Sequence, residues 1–166
     1  MEKYIKRIDE LGKISLPKVI IDKYNLHSGS SIEITIKNNI IVLRDYSPLK
    51  RYKYIIYDIA SSLSKALEHN VVITDLNSIL YSSEKEMGFI SDQLKKSIFR
   101  RENILETHPK NLVIGKKKKT TPYIINSIIS HGDIVGLLII YSDKVDLIDY
   151  KISKEVSKFI GKYIEQ

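Results

Sequence analysis

Residues Arg7 to Pro17 read RIDELGKISLP, and the organisation of the first part of the chain follows from how that stretch turns. A β-prone segment, Tyr4 to Ile8, runs into the acidic pair Asp9-Glu10. Leu11-Gly12 follows, and then a second β-prone triplet, Lys13 to Ser15. Gly12 supplies the backbone freedom that a tight reversal requires, and Pro17 suits the first turn of a helix, where no amide donor is needed. Lys6, Arg7 and Lys13 flank the turn, so the stretch presents cations on a short, stiff loop.

Outward from the turn, Lys18 to Leu26 is predicted as a short helix with Val19, Ile20 and Tyr24 on one face, ended by His27-Ser28-Gly29. Ser31 to Lys37 alternates, with Ile32, Ile34 and Ile36 on one side and Glu33, Thr35 and Lys37 on the other, the pattern of a half-buried strand. Asn38-Asn39 suits a two-residue hairpin turn because asparagine tolerates the left-handed region, and Ile40 to Arg44 returns as the partner strand. The expected unit is β-β-α-β-β. Below about 60 residues a single core is marginal without disulfides or metal. The chain has no cysteine, so dimerisation is the expected remedy.

Ser47-Pro48 breaks the pattern and divides a first domain, 1–48, from a second, 49–166. The second domain opens with a helix from Lys50 to His69 that repeats apolar residues at the 3.6-residue period. Two strands follow, Val71 to Thr74 and Ile79 to Tyr81, around an Asp75-Leu76-Asn77-Ser78 turn. Gly88 to Arg101 reads as a second helix. Glu102 to Thr121 is polar and reads as loop, apart from an apolar island at Leu112 to Ile114. Tyr123 to Ser130 and Ile134 to Ser142 read as long strands joined by His131-Gly132-Asp133, apolar enough to be covered on both faces. A final helix spans Asp146 to Glu165. The class is α+β, and the first and last helices of this domain are expected to pair with each other or with a second subunit.

The chain of 166 residues carries a formal net charge of +7. Its placement tells more than the total: residues 1–55 hold 11 Lys and Arg against 6 Asp and Glu, and residues 56–166 hold 16 against 14. A polyanionic partner would be steered toward the first part of the chain. The longest apolar run, Ile134 to Tyr141, falls far short of the roughly 20 residues that a membrane-spanning helix needs. No apolar leader precedes the turn, and the missing cysteines suit a reducing cytosol. His27, His69, His108 and His131 are scattered without metal-ligand spacing and read as turn or cap residues. The lysine block Lys116 to Lys119 reads as a solvated loop. No phosphate-binding glycine loop, nucleophile elbow or His-Glu-x-x-His string is present. No catalytic residue, cofactor or metal site is assigned.

The opening stretch resembles the DNA-binding domain of AbrB-type transition-state regulators. The family runs a basic pair, an acidic pair, Leu-Gly-Arg, two or three β-branched residues and then proline. This chain has Lys6-Arg7, Asp9-Glu10, Leu11-Gly12-Lys13, Ile14-Ser15-Leu16 and Pro17. Leu43 to Pro48, LRDYSP, is similar to the end of that domain, and Ser127 to Asp143, SIISHGDIVGLLIIYSD, to the paired strands of the GAF-like domain that follows it in sporulation members of the family.

The resemblance implies an N-terminal swapped-hairpin β-barrel in which two chains interleave strands, followed by a GAF-like α/β domain with flanking helices. By motif position Lys6, Arg7 and Lys13 carry over as contacts to double-stranded DNA. Lys13 stands where the family usually has arginine, and a point charge without the bidentate fork reads a base edge less well. Ile21-Asp22 stands where the family usually has a pair of arginines after the proline, so either the cation role moves to Lys18 and Lys23 or the affinity and target sequence change. The implied protein is a cytoplasmic, nucleoid-associated transcription regulator of sporulation or stationary-phase genes. It would be a homodimer through its N-terminal domain and a homotetramer through its C-terminal domain, with an unknown small molecule as a further ligand. The alternative is an antitoxin-like or sensor protein whose N-terminal unit mainly dimerises.

Overall fold

The computed structural model describes residues 3–24, 26 and 31–166. The expected helix stop at His27-Ser28-Gly29 lies outside them. The chain divides into two compact units, one ending at Tyr46 and one spanning Ser47–Gln166.

In the first unit the tight turn forms at Gly12, whose φ is +75°. The segments on either side, expected as strands, carry no ladder. A strand exists only when its amides find a neighbour, and among the described residues the backbone bonds at the turn are Asp9 N–H to Lys13 O and Gly12 N–H to Asp9 O. The expected β-β-α-β-β order is therefore turn-α-β-β within one chain. Helix α1, Lys18–Lys23, starts directly after Pro17, whose carbonyl accepts from Ile20 and Ile21. Strands β1, Ile32–Lys37, and β2, Ile40–Asp45, pair antiparallel across Asn38 and Asn39, both at positive φ. The register sets Ile34 opposite Leu43 and Ile36 opposite Ile41 on one face. The expected half-burial of that face is not met in the single chain: Ile36 is 78% and Ile41 68% exposed. No described residue of 3–46 is buried.

The second unit is built on a six-stranded sheet. Ser47 caps α2, Pro48–Arg51, by accepting from the Lys50 amide, and α3, Lys53–Leu67, continues from it. Next come β3, Asn70–Thr74, β4, Ser78–Ser82, and β5, Gly88–Phe89, then α4, Asp92–Arg100. The unit ends with β6, Ile104–Ile114, β7, Lys117–Ser130, β8, Asp133–Tyr141, and α5, Leu147–Tyr163. The strand order is β5-β4-β3-β8-β7-β6, and every neighbouring pair is antiparallel.

Alternation along the central strands sorts the core onto two faces. Val71, Ile73, Ile124, Ile128, Leu138 and Ile140 pack with Ile56, Ala60 and Leu63 of α3 and Ile160 of α5. Val72, Ile125, Leu137, Ile139 and Tyr141 pack with Leu94 and Ile98 of α4 and with Leu112 and Ile114 of β6. Both faces are covered, as the apolar runs of β7 and β8 require. Helices α3 and α5 pair with each other, antiparallel: Tyr52 meets Tyr163 edge-on at 5.6 Å between ring centres, and His69 Nε2 lies 3.2 Å from Asp149 Oδ2. Asp146 and Asp149 close a capping box at the start of α5.

Two expectations are corrected. The stretch 102–121 is not loop; it supplies β6 and the first part of β7. An edge strand and its hairpin extension need only one dry face, so Lys110, Lys117 and Lys118 stay exposed while Leu112 and Ile114 are fully buried. Pro109, which reads as a strand breaker, falls where the register shifts between Glu106 and Lys110 on that edge. The helix expected from Gly88 starts only at Asp92, because Ser91 caps it and Gly88-Phe89 pairs with β4.

Helix α5 seats on β7 through Gly161, where an added methyl would lie 2.0 Å from the Ile129 carbonyl oxygen. In an exposed helix Gly→Ala gains about 1 kcal/mol of propensity. Here the steric cost outweighs that gain. Gly161→Ala is expected to lower stability by about 1–3 kcal/mol in urea denaturation; a stabilised variant would contradict this seating of α5.

Candidate nucleic-acid interface

The RIDELGKISLP turn is held by one side chain. The Asp9 carboxylate accepts the amides of Leu11 at 2.9 Å and Lys13 at 2.7 Å through the same oxygen. With the two backbone bonds across the turn, this fixes the direction in which the chain leaves toward Lys13. Lys6, Arg7 and Lys13 are exposed, and so are Lys18 and Lys23 on α1. Among the described residues Lys6, Arg7, Lys13 and Lys18 enter no salt bridge. Asp22, exposed between the α1 lysines, puts one negative charge among them. A stiff, cation-bearing loop of this kind can meet phosphate oxygens, and it contains no nucleophile and base aligned for chemistry.

The sequence marks Asp9 as part of an acidic turn; its role as the clamp comes from its place two residues before the reversal, where its oxygen reaches the amides that follow.

The other lysine block is not a solvated loop. Lys117 Nζ lies 2.8 Å from Glu86 Oε2, and Lys119 Nζ lies 2.7 Å from Glu84. Lys119 also sits over the Tyr141 ring, at 5.0 Å from its centre. Burial first, and then the Glu84 carboxylate, push the Tyr141 phenol well above its ordinary range. Lys117 and Lys119 are thus neutralised on a strand, while Lys116, in the turn, and Lys118 stay exposed. His131 is a turn residue at positive φ whose amide donates to Glu165, and His69 directly follows the left-handed C-cap of α3. Among the described residues no three His, Asp or Glu side chains gather as a metal site, and no helix is long and apolar enough to cross a membrane.

The chain thus joins a unit with a basic turn to a unit built on a helix-covered antiparallel sheet. Residues 55–165 match the family described as stage V sporulation protein T C-terminal, transcription factor, and the chain belongs to that family. It is 27% identical over 172 residues to stage V sporulation protein T of Bacillus subtilis, an alignment covering 98% of this chain and 97% of the relative. Among solved structures it is similar to the cofactor-binding GAF domain of the nutrient sensor CodY from Clostridium difficile, with 13% identity, TM-score 0.50, and 69% and 92% of the two chains covered. It is also similar to type II free methionine-R-sulfoxide reductase from Thermoplasma acidophilum, with 12% identity, TM-score 0.56, and 71% and 95% covered. These likenesses show a GAF-type fold, and the family makes the chain a transcription regulator of the sporulation type.

Asp9→Ala is expected to speed amide exchange at Leu11 and Lys13 about five- to tenfold, as loss of hydrogen bonds worth about 1 kcal/mol each dictates. Unchanged protection at both amides would contradict the role of the carboxylate as the clamp.

Proposed function

We propose that the chain binds promoter DNA through its N-terminal unit, completed by the same unit of a second copy. The observation that carries this reading is the joint exposure of apolar and basic side chains on residues 3–46. Ile34, Ile36, Ile41 and Leu43 form an uncovered sheet face, while Lys6, Arg7, Lys13, Lys18 and Lys23 face solvent. An interleaved AbrB-type barrel removes the first exposure and pairs the unladdered segments 3–8 and 13–17 with a neighbour. It also doubles the cationic turns on one particle, and two copies can then engage a pair of DNA half-sites. Cytoplasmic, nucleoid-associated action on sporulation or stationary-phase genes follows from this reading.

The GAF-like unit supplies a second association surface and a sensing role. On α5, Ile148, Ile152 and Phe159 remain exposed along one stripe, which supports pairing of dimers into a tetramer through this unit. The same helix is capped, with Ser153, Ser157 and Ile160 buried, which opposes the antitoxin reading, because a toxin-wrapping tail is poor in such order.

The test is a mobility-shift titration of Lys13→Ala and Arg7→Ala against promoter DNA at two salt concentrations. Each variant is expected to weaken binding and to reduce the logarithmic salt slope by about one contact. Unchanged affinity and slope in both would remove the turn as the DNA surface and leave the sensor reading, in which the N-terminal unit only dimerises.

A further inference from the structure

The second unit holds an open cleft of about 600 Å³ at the edge of the sheet, lined by Lys50, Lys53, Ser78, Leu80, Met87 and Phe89 among others. Its volume falls within the roughly 300–1,000 Å³ of small-molecule sites. The lining contains two lysines and no carboxylate. Met87 and Phe89 lie 65% and 57% exposed beside it, on and next to the short edge strand β5. Apolar side chains left open at the rim of a cationic cleft describe a ligand with an apolar body and an anionic end.

The cationic end is wired to the interior. Asp75 is buried at the start of the β3–β4 turn, where its Oδ1 accepts the amides of Asn77 at 2.8 Å and Ser78 at 2.6 Å. Its Oδ2 lies 3.1 Å from Lys50 Nζ, which spans from the partly exposed cleft side to this carboxylate. Lys53 makes no salt bridge among the described residues; its ammonium rests 5.0 Å from the centre of the Tyr54 ring. Leu49, next to Lys50, is fully buried against Gly136, so apolar packing through Leu49 and the Lys50–Asp75 ion pair both hold α2.

We propose that this cleft binds a small amphipathic carboxylate, with Lys53 meeting the anion and Lys50 shared between the ligand and Asp75. The proposal deepens the sensing half of the reading above. Occupancy draws Lys50 from Asp75 and loosens the ionic hold on α2, the helix that directly follows the N-terminal unit in sequence.

The experiment uses the full chain and needs no DNA, so its failure is separate from failure of the DNA-binding reading. Octanoate, octanol and octylamine are titrated while amide shifts are followed by NMR. Octanoate is expected to shift residues 50, 53, 78–80 and 87–89 saturably, and the other two probes are not. Lys53→Gln and Phe89→Ser, both at exposed positions, are each expected to weaken octanoate about tenfold or more. Asp75→Asn keeps the oxygen that accepts the turn amides but removes the competing charge, so it should tighten octanoate several-fold. No saturable shift, equal shifts with octanol, or shifts centred elsewhere would overturn the site. Unchanged or weaker affinity in Asp75→Asn would overturn the sharing of Lys50.

Discussion

A forty-six-residue unit in which no described side chain is buried cannot hold itself together by a core. Burying a large aliphatic side chain stabilises by about 1.5–3 kcal/mol, and the described residues of 3–46 collect none of this in full within one chain. Ordering the backbone costs about 1–2 kcal/mol per residue, and local devices such as the Asp9 clamp or the Asn38-Asn39 turn are too small to offset it. The face formed by Ile34, Ile36, Ile41 and Leu43 is left uncovered in one chain, and that exposure is the constraint behind the proposal that a second copy completes this unit.

The second unit answers the same constraint internally. Strands β7 and β8 sit at the centre of the sheet and present apolar side chains to α3 and α5 on one face and to α4 and β6 on the other. Close approach is bought with glycine at two points. Gly136 lets α2 lie against β8, and Gly161 lets α5 lie against β7. Two buried polar side chains are anchored: the Asn126 amide donates to Ser153 Oγ at 2.7 Å, although Asn126 Oδ1 finds no partner among the described residues, and Asp75 is held by its own turn. A self-sufficient unit of this kind can anchor an N-terminal segment that is not self-sufficient.

How much of this was legible in the sequence depended on whether the signal was local. The Asn38-Asn39 turn, the His131-Gly132 turn and the stripe of α5 depend on residues close together in the chain, and each formed where expected. The strands 104–114 and 117–121 give little local signal, because 117–121 is a run of lysine and threonine, 106–111 is polar, and the hairpin's stability comes from neighbours distant in sequence. The flanks of the opening turn have the residue types of strands, but among the described residues no neighbouring strand pairs with them, and residue type alone does not supply one. At the candidate interface, residue type and motif position picked out the cations. The Asp9 clamp and the Lys50–Asp75 link depend on geometry across a turn or between elements, which composition does not carry.

The central claim is that a second copy covers the Ile34, Ile36, Ile41 and Leu43 face. Isotope-filtered NOE measurement on a mixture of methyl-labelled and unlabelled full-length chains tests it most directly. The account predicts intermolecular NOEs between these methyl groups and the N-terminal segments of the other copy. A chain that sediments as a monomer, with these methyl groups in contact only with water, would contradict it.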